Sequence, residues 1–340
     1  MNTPVDTETS ATPARASGLR KVVSTVIRIA VTVAIFWLLA MRIDVHRLGE
    51  ALRGMSAGWL ALSILAFAVA AAAPAVRWHS IQAAIGFSPR IATLLKIVFV
   101  GTFFNQVLPT GVGGDAVRAW RCNVAGTGLP AAVRGVLLDR ASGYAVVVAL
   151  YAAGLPELLA HTHDSAQRWV LLGVLAVTCG GFAALFLFDL VARPLLRWRL
   201  FRSLATLSRD ARLVFSDRRR ALVVTALSVV GIGLTIVGIQ MAGRSVGIAM
   251  PLYRWMLVVP PAMLIQLLPV SLAGWGVREA AFVYFLSVFG VANEVALAAS
   301  ILVGIVQIVI ALPGGLIWLT GWDIAGARAA KSDSNRGSWE

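Results

Sequence analysis

Two arginines, Arg118 and Arg278, each lie nine residues beyond a proline in apolar sequence. The stretches that carry them, from Gln106 and from Gln266, share the pattern Q-x-L-P-x-x-x-x-G-x-x-V-R. A guanidinium is planar, permanently charged and able to donate paired hydrogen bonds, so an arginine in such a setting is suited to holding phosphate oxygens. The pattern around each arginine adds to this. Pro109 with Gly113 and Gly114, and Pro269 with Gly274 and Gly276, break a helix and let it restart. A restarting helix points its N-terminal N–H groups at the break, which is an anion site. In hydrocarbon such irregular backbone survives only when it is buried in protein or lines a wet cavity. Glycine and proline also occur in membrane helices for close packing alone, but two copies with matched arginines favour a functional reading, because intramembrane charge is costly. Asn105, Gln106 and Gln266 stand beside the breaks as hydrogen-bonding groups for a polar head group.

Opposite charge is close to both arginines. Asp115 precedes Arg118 by three residues and Glu279 follows Arg278 directly. One reading pairs Arg118 with Glu279, or Arg278 with Asp115, across the two motifs until a lipid phosphate competes. The other makes them permanent structural ion pairs. Asp139-Arg140, just ahead of an apolar run, belongs to the rim of the site or anchors a helix end, while Arg121 and Arg134 suit contact with anionic leaflet lipid. His161 and His163 lack further ligands, and Cys122 and Cys179 are far apart, so no metal site is expected. No nucleophile elbow, phosphate loop or dinucleotide fingerprint occurs. Neither enzymatic activity nor a cofactor is expected.

The elements that must position these residues are membrane helices. Hydrophobic residues make up 59% of the 340 and charged residues 14%, a balance that excludes an ordinary soluble domain. The net charge of +14 falls in short basic segments between apolar runs, which fits membrane topology and argues against nucleic acid as a partner. Runs long enough to span occur at 22–41, 59–76, 141–159, 169–189, 221–242 and 296–319. The arginine-rich connection 190–220 is cytoplasmic by the positive-inside rule, and working outward from it puts both termini on the cytoplasmic side. The first motif then hangs between spans whose facing ends are cytoplasmic, and the second between spans whose facing ends are external. The expected fold is all-α and integral to the membrane: six full spans plus two re-entrant broken-helix hairpins, in an inverted repeat of units 59–159 and 221–319. Residues 1–18 read as a disordered cytoplasmic tail, 19–322 as one transmembrane domain and 323–340 as a second cytoplasmic tail.

Taken in order, Asn105-x-x-Leu108-Pro109, Gly113-Gly114-Asp115-x-x-Arg118, Asp139-Arg140 and Leu268-Pro269-x-Ser271-x-x-Gly274-x-Gly276-Val277-Arg278-Glu279 resemble the transmembrane, flippase-like region of lysylphosphatidylglycerol synthases, over about 20–322. The resemblance implies a polytopic helical protein that moves a lipid or lipid-linked head group between leaflets, with these motif residues, Ser271 among them, at the substrate site. In the full-length synthases a soluble aminoacyl-transferase domain follows. Here only a short polar stretch follows Trp322, so a stand-alone member without lysyl transfer is expected. The expected function is a flippase of the bacterial inner membrane, moving an anionic phospholipid or polyprenyl-phosphate-linked lipid by alternating access at a midplane site. The alternative is a non-transporting partner of an envelope-lipid glycosyltransferase or synthase.

Overall fold

The computed structural model describes residues 44–108, 112–162, 164–191, 199–267 and 274–320, with six further positions between 26 and 41. The first expected span, both tails, and Pro109, Pro269 and Ser271 lie outside the described residues, apart from those six positions. All regular structure among the described residues is helical. A short helix α1 (Val45–Arg53) begins at Asp44, whose side chain accepts from the N–H groups of His46 and Arg47. There follow α2 (Ala57–Ala84), α3 (Ile91–Val107), α4 (Gly113–Cys122) and, after a π-helical turn at Asn123–Thr127, α5 (Leu129–Ala160). Next come α6 (Ser165–Val191) and α7 (Arg199–Ser216). The chain continues through α8 (Arg218–Ser245), α9 (Leu252–Ile265), α10 (Val277–Ser287) and α11 (Asn293–Leu319).

Five of these helices are long and apolar enough to cross a bilayer: α2, α5, α6 over Ser165–Phe186, α8 and α11. They expose Leu62, Leu65, Val69, Trp169, Val177, Leu222, Val230, Leu312 and Leu316 at their surfaces. In water so much apolar surface would drive aggregation, whereas lipid tails accept it. The helices outrun the hydropathic runs that suggested them: α2 continues to Ala84 and α5 starts at Leu129, because polar residues in those extensions are buried against protein. The connection 190–220 also differs from the loop that its arginines suggested. It holds α7, which buries Ala205, Leu207, Ala211 and Val214. The Ser208 hydroxyl and the Arg212 guanidinium donate to the Phe186 carbonyl of α6, and Arg134 of α5 pairs with Asp210. Arg202 and Arg209 are therefore exposed on a docked amphipathic helix, while Arg212 reaches back to α6.

The order long, short, short, long occurs twice, in α2–α5 and in α8–α11. The leading helices α2 and α8 make the most extensive helix pair and run antiparallel: Ser56 N–H meets the Ser245 carbonyl, Ser63 Oγ the Gly238 carbonyl, and Arg77 the Ser228 hydroxyl. The short helix α3 packs on α11, and its counterpart α9 packs on α5, so the first limb of each broken pair rests on the last helix of the other unit. Apolar packing is uneven between the two. The larger core gathers around Trp255, Phe282, Phe285 and Tyr151; a smaller one, around Trp78, Leu94 and Val136, supports the first unit's polar residues.

Candidate functional site

Arg118 lies in the second turn of α4, because that helix restarts at Gly113. Its NH2 donates to Asp139 Oδ2 of α5 at 2.7 Å, its NH1 reaches Asp115 Oδ1 at 3.4 Å, and its guanidinium carbon lies 4.4 Å from the ring centre of Trp78. The other oxygen of Asp139 accepts from Arg77 Nε at 2.8 Å, and Arg77 NH1 donates onward to the Ser228 hydroxyl at 3.2 Å. Asp115 Oδ2 takes Arg140 Nε at 2.6 Å. The result is an alternating chain, Arg77–Asp139–Arg118–Asp115–Arg140, drawn from α2, α4 and α5. Asp139, Arg77 and Arg118 are buried. Two carboxylates each held between two guanidinium groups offset the heavy desolvation cost of so much buried charge.

A cavity of about 230 Å³ opens beside this chain. Arg77, Arg118, Asp139, Arg140 and Asn105 form its polar side, and Ala70, Val98, Val147, Ile232 and Met263 belong to its apolar side. Thr102, Tyr144 and Thr235 add hydroxyls. Pro74 of α2 also lines it; without an N–H it cannot bond the Ala70 carbonyl one turn back. Asn105 does more than border the space: its side-chain oxygen accepts the Gly114 N–H at 2.9 Å. The close approach of α3 and α4 needs glycine there, since a Cβ on Gly114 would run into the Gly101 carbonyl and the Asn105 side chain.

The second arginine is built differently. Gly274 and Gly276 adopt φ of +83° and +84°, a left-handed backbone that delays the restart, so Arg278 falls in the first turn of α10. Glu279 Oε2 accepts the Gly276 N–H at 2.6 Å, and its other oxygen accepts from Arg278 Nε at 3.0 Å. Arg278 NH1 donates to Gln307 of α11 at 3.1 Å, and the guanidinium lies 4.5 Å from the Trp275 ring centre. Gly304 gives it room, for a Cβ there would press on the guanidinium. No lining residue of the cavity belongs to this group.

The structure thus brings Asn105, Asp115, Arg118, Asp139 and Arg140 to one place, with Gly113 and Gly114 supporting them. It gathers Gly274, Gly276, Arg278 and Glu279 at another. Gln106 and Gln266 are half-buried and do not line the cavity. Neither cross-motif pair forms: Arg118 is held by Asp139 and Asp115, and Arg278 by the adjacent Glu279. At each restarting helix one N–H is already taken by a side-chain oxygen, Gly114 N–H by Asn105 and Gly276 N–H by Glu279. Arg121, in the last turn of α4, lies against the rings of Trp120 and Trp318.

The sequence profile described as the lysylphosphatidylglycerol synthase transmembrane region matches residues 25–315. The chain belongs to that family. It is also 22% identical over 310 residues to a UPF0104 membrane protein of Methanothermobacter thermautotrophicus, covering 83% of this chain and 88% of the relative. This is therefore a multi-pass membrane protein of a family named for the membrane region of a lipid-modifying synthase. Membership spans both arginine centres, although Arg77, Ser228, Gln307 and the paired tryptophans Trp78 and Trp275 were not among the residues first singled out. A polar residue within or abutting an apolar helix was the signal for Arg77 and Gln307. Nothing in the sequence marked the two tryptophans as arginine platforms.

Proposed function

We propose that the protein moves an anionic lipid across the bacterial inner membrane, its head group passing through the cavity beside Arg77, Arg118 and Arg140 while its tails stay in lipid. What supports this best is the composition of that cavity: three guanidinium groups and a strip of hydroxyls and amide against alanine, valine and isoleucine walls, at the depth of membrane helices. A polar, positively charged pocket with apolar walls suits a phosphate head group and the first methylenes of its chains. The antiparallel seam of α2 with α8 and the exchange of α3 and α9 between units suit an inverted repeat of units 59–159 and 221–319, in which α3–α4 and α9–α10 are re-entrant hairpins and rocking of one unit against the other exposes the cavity alternately. Both termini are then cytoplasmic, the transport step makes or breaks no covalent bond, and a gradient or the lipid supply drives it. The Arg278–Glu279–Gln307 centre locks α10 to α11 and does not contact the cargo.

The test is reconstitution. Protein in liposomes should speed the exchange between leaflets of tail-labelled phosphatidylglycerol, read as label reached by a membrane-impermeant quencher. Exchange no faster than in protein-free liposomes, across both phospholipid and polyprenyl-phosphate probes, contradicts the proposal. A second reading rests on α7, whose docked helix presents Arg202 and Arg209 outward, as a platform for an envelope-lipid enzyme. Under that reading the cavity arginines are dispensable and the outer face of α7 is not.

A further inference from the structure

We infer that the cavity selects a lipid of a single net negative charge, a phosphodiester without a cation in its head group, with Arg140 as the residue that meets the phosphate. The inference rests on the transport reading for the lipid's passage, but the charge matching stands or falls separately. In the chain Arg77–Asp139–Arg118–Asp115–Arg140, three guanidinium cations face two carboxylates. One positive charge is therefore unbalanced. Arginine does not shed its proton in proteins, so only an anion can balance that charge. Among the residues that line the cavity, Arg77, Arg118, Asp139 and Arg140 are the charged ones. Leaving a net charge in a desolvated pocket is costly, and a single negative charge relieves the cost where two would reverse it.

Geometry singles out Arg140. Arg77 and Arg118 both give their shortest bonds to Asp139, and their side chains are 9% and 8% exposed. Arg140 gives Nε to Asp115 and keeps 30% of its side chain exposed, the most open of the three. It stands on α5 one helical turn before Tyr144, and both line the cavity. Asp115 is shared unequally, at 2.6 Å to Arg140 and 3.4 Å to Arg118, so a phosphate arriving at Arg140 competes with Asp115 there and frees that carboxylate to turn toward Arg118. Arg118 and Arg77 act as positioning residues that hold Asp139 and keep the charge chain in register. Thr102 and Thr235, whose hydroxyls donate to the Val98 and Gly231 carbonyls of their own helices, can still accept from hydroxyls of a head group such as glycerol.

The experiment is competitive lipid binding to the full-length protein, read by native mass spectrometry. Its probes are dioleoyl-phosphatidylglycerol, dioleoyl-phosphatidylcholine and dioleoyl-phosphatidic acid, in alkaline buffer where the phosphatidic acid monoester is mostly dianionic. Phosphatidylglycerol should bind about tenfold or more tighter than the net-neutral and the dianionic lipid, as a buried unpaired charge implies. This arm needs no variant. Asp115→Asn leaves two unbalanced positive charges and should turn the preference toward phosphatidic acid, while Arg140→Gln should abolish discrimination between phosphatidylglycerol and phosphatidylcholine. Tighter binding of phosphatidic acid to the unaltered protein, or an order unmoved by both substitutions, overturns the inference. Displacement by water-soluble glycerophosphoglycerol as readily as by the lipid overturns the assignment to a lipid. Charge-ordered binding without movement between leaflets leaves this inference standing and removes the transport reading; movement without charge order does the reverse.

Discussion

Arg118 and Asp139 meet at 2.7 Å although 21 residues separate them, and the same carboxylate holds Arg77 at 2.8 Å. One side chain thus joins the first long helix of the repeat, the restarted helix and the last long helix. Asp139→Asn leaves two buried guanidinium groups facing a neutral amide. Removing one member of a buried ion pair costs about 3–5 kcal/mol. The thermal midpoint of the detergent-solubilised protein should fall clearly, with Asp139→Glu intermediate. An unchanged midpoint for Asp139→Asn contradicts the shared carboxylate.

Close packing at Gly114 gives a second expectation. A Cβ there meets the Gly101 backbone carbonyl and cannot be relieved by a side-chain rotation, whereas Gly233 has nothing within 4 Å of the same atom. Gly114→Ala should destabilise by about 1–3 kcal/mol, as overpacking does. Gly233→Ala should leave the melting temperature unchanged or raised. Equal melting curves for the two variants contradict the α3–α4 contact.

How much of this was legible beforehand varies by residue. Arg118, Asp115, Asp139 and Arg140 stood out because charge next to apolar runs is expensive and noticeable. Arg77 escaped because hydropathy ended its span at Val76, one residue short, while the helix continues to Ala84. The span length was hidden by tertiary burial, which periodicity does not register. The two motifs looked equivalent, yet the left-handed Gly276 moves the restart of α10 relative to that of α4, so like sequence gives unlike sites. The α7 helix was masked by its own arginines, which read as a loop.

The Arg278 centre is predicted to be structural. Glu279→Gln keeps an oxygen for the Gly276 N–H but removes the charge beside Arg278. Stability should drop by about 3–5 kcal/mol, while lipid transport per folded molecule stays close to that of the unaltered protein. Transport lost at unchanged stability contradicts this division between the two arginines.

Docking of α7 can be tested through Arg134 and Asp210, which pair at 2.5 Å. Asp210→Ala should speed trypsin cleavage within 199–216, and the swap Arg134→Asp with Asp210→Arg should restore protection. Cleavage as slow in Asp210→Ala as in the parent contradicts a role for the pair in holding the helix.

Topology is open to cysteine labelling. In a background with Cys122→Ala and Cys179→Ala, Ser216→Cys should react with a membrane-impermeant maleimide from the cytoplasmic side, and Ser165→Cys from the external side. Reaction of both from one side contradicts the orientation proposed from the arginine distribution.

The most direct test of passage through the cavity is a phosphatidylglycerol analogue with a photoreactive head group, cross-linked in proteoliposomes and mapped by peptide mass spectrometry. Adducts are expected on peptides holding Thr102, Tyr144 or Thr235, lost in Arg140→Gln. Adducts confined to lipid-facing surface such as Trp169 and Val177, unchanged by Arg140→Gln, would contradict it.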